Sequence, residues 1–317
     1  MIKTFDLTKL YGKFVAVDSI NLNIPPGEIY GFLGPNGAGK TTTIMMLLGI
    51  ARPTGGEIRL FNEKFTPQRL DLRRRIGIVP EKHPSGMWTW MTALDYLRMF
   101  ADLYEIDDTE KRISGLLDQV DLLAVRKKRI SGYSRGMMQK LSIVRALLHD
   151  PDILFLDEPI SGLDPIGIKQ IRDLILIENR EGRTIFISSH MLSEMEKVCE
   201  RVAVIFQGKL CAEDKMENLL SQLTKDREIH VDLERVPPDL VGKLTEQPFI
   251  LGVDVEENTL SIRVPKQGDF RAKISKFLIN QSLVPLRIGE KAFSLEEAFI
   301  TITKENIGMF ADVKGRP

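Results

Sequence analysis

The chain has 317 residues, 43% of them apolar, and its 44 Lys and Arg residues balance its 44 Asp and Glu residues. A zero net charge gives no overall basic field, so we expect no nucleic-acid partner. The two cysteines, Cys199 and Cys211, exclude a disulfide framework, and no apolar run approaches the roughly 20 residues that span a bilayer, so we expect a soluble, cytoplasmic chain.

Residues 1–222 are predicted to be an α/β domain, because apolar strand-like runs alternate with helical stretches along them. A strand at Ile29–Leu33 leads into a glycine-rich loop, and a helix follows from about Gly39 to Gly49. Residues from about 85 to 150 are mostly helical and predict a helical subdomain. Short apolar runs predict further buried strands at Ile76–Val79, Ile153–Leu156, Thr184–Ser188 and Arg201–Phe206.

A second domain is predicted over residues 225–305, where the pattern of elements changes. Its strands and helices follow in the order β-α-β-β-α-β, which is that of a split βαβ, ferredoxin-like α+β module. A last helix is predicted to begin at Ser294, with Glu297 completing a capping box. Residues 306–317 are polar and glycine-rich and predict a frayed tail.

The glycine-rich loop matches the phosphate-binding pattern G-x-x-x-x-G-K-S/T between a strand and a helix. Its backbone N–H groups and the helix N-terminus are expected to point at phosphate oxygens. Lys40 would supply a positive charge to the β- and γ-phosphates, Thr41 a hydroxyl to Mg²⁺, and Thr42 a hydroxyl near the α-phosphate. The loop consists of Gly34, Pro35, Asn36, Gly37, Ala38, Gly39, Lys40, Thr41 and Thr42.

Three further motifs follow the loop in a fixed order: YSRGM at residues 133–137, an apolar strand that ends in Asp157-Glu158, and the lone His190. Together with the loop they resemble the ATP-binding cassette, and the chain looks like the ATPase subunit of an ABC transporter. The resemblance is strong over residues 1–220 and looser beyond them. It implies hydrolysis of ATP, with Mg²⁺, by two subunits that bind nucleotide between them.

The YSRGM segment resembles the family's signature motif, usually written LSGGQ, which faces the γ-phosphate bound by the other subunit. Ser134 and Gly136 keep that pattern, whereas Tyr133, Arg135 and Met137 depart from it. A serine hydroxyl and free N–H groups at a helix N-terminus suit an anion. Arg135 would either bring a further cation to the partner's ATP, or face solvent or pair with a carboxylate.

The catalytic roles are assigned by resemblance. Asp157 resembles the Walker B aspartate, which holds Mg²⁺ through water, and Glu158 resembles the general base that activates the attacking water. Two adjacent carboxylates need a cation, which Mg²⁺ and Lys40 would supply. His190 resembles the switch histidine that contacts the γ-phosphate. Asp164 lies in a segment that resembles the D-loop, which crosses the dimer interface.

At the end of the site that would hold the nucleobase, Tyr11 resembles the aromatic residue that stacks on adenine. Val15 is expected to pack beside it. Such stacking tolerates different bases and contributes about 1–3 kcal/mol. Glu81 stands where the family usually has a glutamine that binds Mg²⁺ and water, and we expect it to keep that role. The other three histidines, His83, His149 and His230, are predicted to be surface residues.

These motifs predict a peripheral ATPase subunit at the inner face of the cell membrane. Its expected partners are an integral membrane permease and a second ATPase subunit, which is another copy or a close paralogue. Glu81, YSRGM and the C-terminal module favour the branch typical of bacterial drug, sodium, cytochrome-assembly and polysaccharide exporters. Residues 87–104, which contain both tryptophans, are expected either to form a groove that binds the permease or to be part of the hydrophobic core. The alternative function is a non-transport ABC ATPase that acts as a scaffold or clamp.

Overall fold

The computed structural model describes residues 1–81, 88–223 and 226–290. They fall into two compact units, Met1–Met216 and a second unit that begins at Glu217. The boundary proposed between residues 222 and 225 stays a prediction. The predicted helix at Ser294 and the tail at 306–317 lie outside the described residues.

The first unit alternates strands and helices along the chain. Its strands are β1 (Ile2–Tyr11), β2 (Phe14–Ile20), β3 (Asn23–Ile24), β4 (Ile29–Leu33), β5 (Gly55–Leu60), β6 (Glu63–Lys64), β7 (Ile76–Val79), β8 (Ile153–Asp157), β9 (Thr184–Ser189), β10 (Arg201–Phe206) and β11 (Lys209–Lys215). Its helices are α1 (Lys40–Leu47), α2 (Leu70–Arg73), α3 (Ala93–Tyr104), α4 (Thr109–Gln119), α5 (Arg135–Leu147), α6 (Pro165–Arg180) and α7 (Leu192–Met195), and α8 (Met216–Leu223) spans the boundary.

A six-stranded sheet forms the centre of this unit, in the order β11-β10-β4-β9-β8-β7. Neighbouring strands run parallel from β10 to β7, and β11 pairs antiparallel to β10. Every residue of β4, β8 and β9 is buried, which explains why polar residues stand only at the ends of these strands and do not alternate with apolar ones. Phe186 packs against Phe32 and Phe155 in the core, with ring centroids 5.4 Å apart in both pairs.

A second, antiparallel sheet contains β2, β1, β5 and β6 in that order, with β3 also paired to β1. The sequence analysis predicts no strand over residues 1–24. This sheet is therefore seen only in the structure. The hairpin of β1 and β2 brings Tyr11 directly opposite Phe14. It therefore places two aromatic side chains at one end of the sheet.

The helices α3, α4 and α5 lie within the range predicted for the helical subdomain. His149, just beyond α5, corrects the prediction that it is a surface residue. Its ring stacks on Tyr104 at a centroid distance of 4.1 Å, and its Nε2 lies 3.0 Å from the Ile76 carbonyl oxygen. Burial of the ring lowers the pKa of His149. His83 lies outside the described residues.

The second unit has the predicted order β-α-β-β-α-β and an antiparallel sheet in the order β13-β14-β12-β15. Alternate residues of its central strands are buried, as in a sheet with one covered face. Ile229, Ile262 and Leu278 belong to its core. The elements are β12 (Asp226–Asp232), α9 (Leu240–Thr245), β13 (Gly252–Glu256), β14 (Thr259–Pro265), α10 (Arg271–Asn280) and β15 (Arg287–Glu290).

Within the described ranges, none of the helices combines the length and the apolar character that a bilayer span requires.

Candidate active site

A cleft of about 560 Å³ is lined by residues that follow the carboxyl ends of β4, β8 and β9. This is the edge at which open α/β sheets bind ligands, and the volume suits a small molecule, since such pockets measure roughly 300–1,000 Å³. Several separate motifs therefore meet in one place. The lining residues are Tyr11, Phe14, Ala16, Pro35, Asn36, Gly37, Gly39, Lys40, Thr41, Thr42, Glu81, Glu158, Ser161 and His190.

The glycine-rich loop is shaped by close backbone contacts. Gly39 has a φ of +112°, and an ideal Cβ at this position would lie 2.6 Å from the Ala16 carbonyl oxygen, so only glycine fits. Helix α1 begins immediately afterwards at Lys40, and no side chain caps its first turn. The first N–H groups and the positive end of the helix dipole therefore suit an anion such as a phosphate.

Lys40 holds a buried charge at the centre of the cleft. Its Nζ donates to the Gly34 carbonyl at 2.7 Å and to the Pro35 carbonyl at 3.3 Å. The same atom lies 3.3 Å from Glu158 Oε1, and both side chains are less than a tenth exposed, at 6% and 7%. Since Glu158 Oε1 has no hydrogen-bond donor in the described residues, this ion pair is what compensates its burial.

The two carboxylates at the end of β8 are fixed by the neighbouring strand. Glu158 has a φ of 50°, in the left-handed region, and its N–H lies 3.1 Å from the Ser188 carbonyl and 3.2 Å from Ser188 Oγ. Ser188 Oγ in turn donates to Asp157 Oδ1 at 2.5 Å. Strain at a non-glycine residue that is fixed in this way is typical of a functional position. The motifs do not single out Ser188, although it lies just before His190.

The electrostatics at Asp157 favour a bound cation. Burial raises the pKa of Asp157, and the negative charges of Glu81 and Glu158 raise it further, while hydrogen bonds from Ser188 and Thr41 act in the opposite direction. No cluster of three or more His, Cys, Asp or Glu residues in the described ranges has metal-binding geometry. A divalent cation here would need Thr41 and phosphate oxygens as additional ligands, and the donor set fits Mg²⁺, which prefers oxygen.

His190 contacts the same carboxylate from the other side. Its Nδ1 lies 2.8 Å from Glu158 Oε2, and its backbone N–H donates to that oxygen at 3.4 Å. Lys40 and His190 thus hold the two oxygens of Glu158 separately. A carboxylate fixed at both oxygens has a defined direction toward the cleft, which is what a positioned base requires.

Two aromatic residues, Tyr11 and Phe14, line the end of the cleft that would hold the nucleobase. They are 50% and 63% exposed, which leaves ring surface for a ligand. Lys9 Nζ lies 4.9 Å from the centroid of the Tyr11 ring and donates to the Arg52 carbonyl at 2.7 Å. Val15 does not line the cleft, because alternate residues of a strand point to opposite faces. The structure therefore favours Phe14, which the motifs do not indicate, over Val15 as the companion of Tyr11.

The signature residues lie elsewhere on the chain. Ser134 caps α5, with its Oγ accepting from the Met137 N–H at 3.3 Å. Asp164 caps α6 by accepting from the Gly167 N–H at 3.1 Å. Neither these residues nor Arg135 and Gly136 are among the described residues that line this chain's own cleft.

Comparisons with known proteins agree with this geometry. The profile of the ABC transporter family matches residues 17–161. The chain is 40% identical over 304 residues to the bacitracin transport ATP-binding protein BcrA of Bacillus licheniformis, covering 95% of this chain and 97% of that protein. It is 38% identical over 222 residues to the lantibiotic transport ATP-binding protein SrtF of Streptococcus pyogenes, covering 69% of this chain and 94% of that protein.

Solved structures share the cassette fold. An ATP-binding subunit of an ABC transporter superposes with a TM-score of 0.64 and 27% identity, covering 70% of this chain and 92% of that one. A post-hydrolysis cassette dimer bound to ADP and inorganic phosphate gives 0.61 and 27%, covering 68% and 99%. The predicted fold class and the resemblance to exporter-type subunits are both confirmed. This chain belongs to the ATP-binding proteins of the ABC transporter family, and it is an ATPase.

Proposed function

We propose that this ATPase powers export through a separate integral membrane permease, as a peripheral subunit at the inner face of the cell membrane. The ion pair and hydrogen bond that fix Glu158 between Lys40 and His190 inside the nucleotide cleft support the hydrolysis that would supply the energy, and the relatives support the link to transport. Relatives that match nearly the whole chain are named for bacitracin transport. Bacitracin is therefore the first cargo to test, and lantibiotics are the second, because a relative that covers 69% of this chain is named for their transport.

The proposed mechanism places ATP with its phosphates at the N-terminus of α1. Lys40 and the loop N–H groups balance the phosphate charge, which is the main contribution of a protein to phosphoryl transfer. Glu158 accepts a proton from water as that water attacks the γ-phosphorus, the bond to the β–γ bridging oxygen breaks, and ADP and phosphate form. His190 keeps Glu158 directed at the water. The cleft also contains Thr41, Thr42 and Glu81.

Mg²⁺ is the proposed cofactor. Thr41, Glu81 and Asp157, the last through water, would hold it, and it would neutralise charge on the β- and γ-phosphates. Support comes from the raised pKa of Asp157, because a buried carboxylate beside Glu81 and Glu158 is stabilised by a neighbouring cation.

We also propose a second ATPase subunit, either another copy or a close paralogue. The signature turn (Ser134–Met137) lies at the N-terminus of α5, which carries no acidic residue in its first turn, and so suits a phosphate. Because this turn does not line its own cleft, it would contact ATP held by the partner, with Asp164 near the interface. A cassette with 27% identity that is dimeric with ADP and inorganic phosphate bound supports a second subunit.

The helical subdomain is the proposed docking site for the permease. Trp90 is 66% exposed, and an exposed tryptophan is a typical binding anchor. Trp88, by contrast, is half-buried beside Tyr96, Ile130 and Leu141, so part of this segment is core. The C-terminal unit, proposed as an accessory domain over residues 225–305, is assigned no catalytic role.

Glu158→Gln is expected to turn the chain into a stable ATP-bound dimer. The substitution removes the proton acceptor but keeps the size and the hydrogen-bonding capacity of the side chain. Size-exclusion chromatography with light scattering should give a monomer without nucleotide and a dimer with ATP and Mg²⁺. ADP in place of ATP is the control and should leave a monomer. A Glu158→Gln chain that binds ATP and stays monomeric would contradict the proposed dimer.

Tyr11→Ala should weaken binding of both ATP and GTP by about 1–3 kcal/mol, because stacking is lost and stacking does not depend on base identity. Phe14→Ala should also weaken both, since its ring lies opposite Tyr11. Isothermal titration with each nucleotide measures the change. Val15→Ala is the matched control, because it alters the neighbouring position on the other face of β2. A loss in Val15→Ala equal to that in Phe14→Ala would contradict this assignment.

A further inference from the structure

Strand β7 is the last strand of the central sheet and leads to the cleft. Among the described residues it pairs only with β8, and Glu81, two residues after its end, lines the cleft. Successive carbonyls of a strand point to opposite edges. The Arg75 carbonyl points toward β8, because it accepts from the backbone N–H groups at the start of that strand. The carbonyls of Ile76 and Ile78 therefore point to the open edge, where they need other donors.

Two side chains at the end of helix α5 supply these donors. Arg145 Nη2 donates to the Ile78 carbonyl at 2.8 Å, and His149 Nε2, just beyond the helix, lies 3.0 Å from the Ile76 carbonyl oxygen. Since a carbonyl only accepts, His149 Nε2 carries the proton, and its buried Nδ1 has no partner in the described residues. Four positions along a helix cover about 6 Å, and two positions along a strand cover about 6.6 Å. The spacing of the two donors thus matches that of the two carbonyls.

The surroundings of Arg145 hold its guanidinium group at the edge of β7. The group lies over the Phe100 ring, 5.6 Å from the ring centroid, and Nη1 is 3.5 Å from the Tyr96 hydroxyl. Within the part of the chain that the structure describes, no carboxylate forms an ion pair with Arg145. Hydrogen bonds from a charged donor are shorter and stronger than neutral ones. The bond to Ile78 is therefore the main polar contact of this half-buried cation.

The segment that joins Ile78 to Glu81 is short and stiff. Val79 is completely buried. Pro80 has a fixed φ, and it also restricts the residue before it to extended conformations. Three residues span at most roughly 11 Å. A displacement of the Ile78 carbonyl would therefore be passed on to the Glu81 carboxylate in the cleft.

We propose that Arg145 is a positioning residue for Glu81, and that His149 assists it. By binding the open edge of β7 they fix the strand so that the Glu81 carboxylate reaches Mg²⁺ on bound ATP. The inference rests on the proposed role of Glu81 as a ligand of Mg²⁺. It assigns Arg145 an effect on the contribution of the metal to ATP binding. Binding without metal should not depend on Arg145, because its side chain does not line the cleft.

The experiment measures ATP affinity by isothermal titration, once with EDTA and once with Mg²⁺, in the full chain carrying Glu158→Gln to prevent hydrolysis. The ratio of the dissociation constant in EDTA to that in Mg²⁺ gives the contribution of the metal. Arg145→Met should lower this ratio about tenfold, as is usual when a group behind a metal ligand is lost. It should change the affinity in EDTA less than about twofold.

Arg112→Met is the matched control and should leave the ratio unchanged. Arg112 Nη2 also donates to a part-buried carbonyl at 2.8 Å, but that carbonyl belongs to Leu147 of α5 and not to β7. Arg145→Lys retains a cation that can donate to the Ile78 carbonyl and should recover most of the ratio. Urea unfolding of each variant gives the free energy of unfolding, so that a loss of stability is measured separately.

Two variants of His149 test the same edge of β7. His149→Gln should keep the ratio, because its amide nitrogen can replace Nε2 as a donor. His149→Phe keeps a ring to stack on Tyr104 but loses the donor. It should lower the ratio by less than Arg145→Met does, because Ile76 is further from Glu81 along the chain. If Arg145→Met does not fold, an equal ratio in the two His149 variants would overturn the inference.

A chain that also carries Glu81→Ala identifies the route. In that background Arg145→Met should cause no further loss, because both changes act on the same ligand. An additive loss would overturn the inference, as would an unchanged ratio in Arg145→Met. An equal loss of affinity with and without Mg²⁺ would overturn it too, since Arg145 would then only stabilise the fold. If Glu81→Ala by itself left the ratio unchanged, the proposed Mg²⁺ ligand would be rejected, and the role of Arg145 with it.

Discussion

Lys40→Met is expected to reduce ATP turnover by roughly 10²–10³-fold or more, because it removes the cation aimed at the phosphates. It should also destabilise the protein without nucleotide by about 3 kcal/mol, since it leaves the Glu158 carboxylate buried without its partner. The two groups lie 3.3 Å apart and are almost inaccessible to solvent. Steady-state ATPase assays and urea unfolding monitored by circular dichroism measure the two effects.

The control for this prediction is the double variant Lys40→Met/Glu158→Gln. If the loss of stability comes from a lone buried charge, the neutral glutamine should restore much of it while turnover stays absent. The restoration should be incomplete, because methionine also loses the hydrogen bond from Lys40 to the Gly34 carbonyl. If the double variant instead lost the sum of the stabilities lost by the two single variants, the ion pair would contribute nothing to the free energy of unfolding. The cleft would then tolerate an unpaired Glu158.

The parallel strands could be predicted with their bounds because their signal is local. Ile29–Leu33, Ile76–Val79 and Arg201–Phe206 are observed as predicted. Each is a short apolar run followed by a turn residue, and burial on both faces leaves no polar residue to interrupt it. The position after the loop also predicts helix α1, and the observed helix, Lys40–Leu47, differs from that prediction only at its ends.

Contacts between distant segments could not be predicted from the sequence. The guanidinium of Arg135 lies next to Gly162, which is 27 positions further along the chain and in a different motif. Register is equally hard to predict: the β1–β2 hairpin sets Tyr11 opposite Phe14, whereas the expectation of Val15 beside Tyr11 comes from the family resemblance, which does not give the register of the strands. Half-exposed antiparallel strands also give weaker patterns, so the order of the elements of the second unit could be predicted but not the bounds of its last strand, Arg287–Glu290.

His190→Ala is expected to lower kcat by about 100-fold while leaving ATP affinity nearly unchanged, because it affects the position of the base rather than the phosphate-binding loop. In the structure His190 Nδ1 lies 2.8 Å from Glu158 Oε2. Without the imidazole, the polar contacts of the carboxylate among the described residues are those to Lys40 and to the backbone N–H of residue 190. Single-turnover hydrolysis together with equilibrium ATP binding separates the two quantities.

His230→Ala is the matched control, because His230 Nε2 lies 2.8 Å from Glu228 Oε1 in the second unit and its side chain is about as exposed as that of His190, at 40% against 45%. It should leave kcat unchanged. Two further variants identify the nitrogen that matters. Asparagine can place an amide N–H near the position of Nδ1, so His190→Asn should recover at least about tenfold over alanine if the histidine acts by holding Glu158. Recovery by His190→Gln alone would assign the function to Nε2, and the histidine would then act on the nucleotide rather than through Glu158.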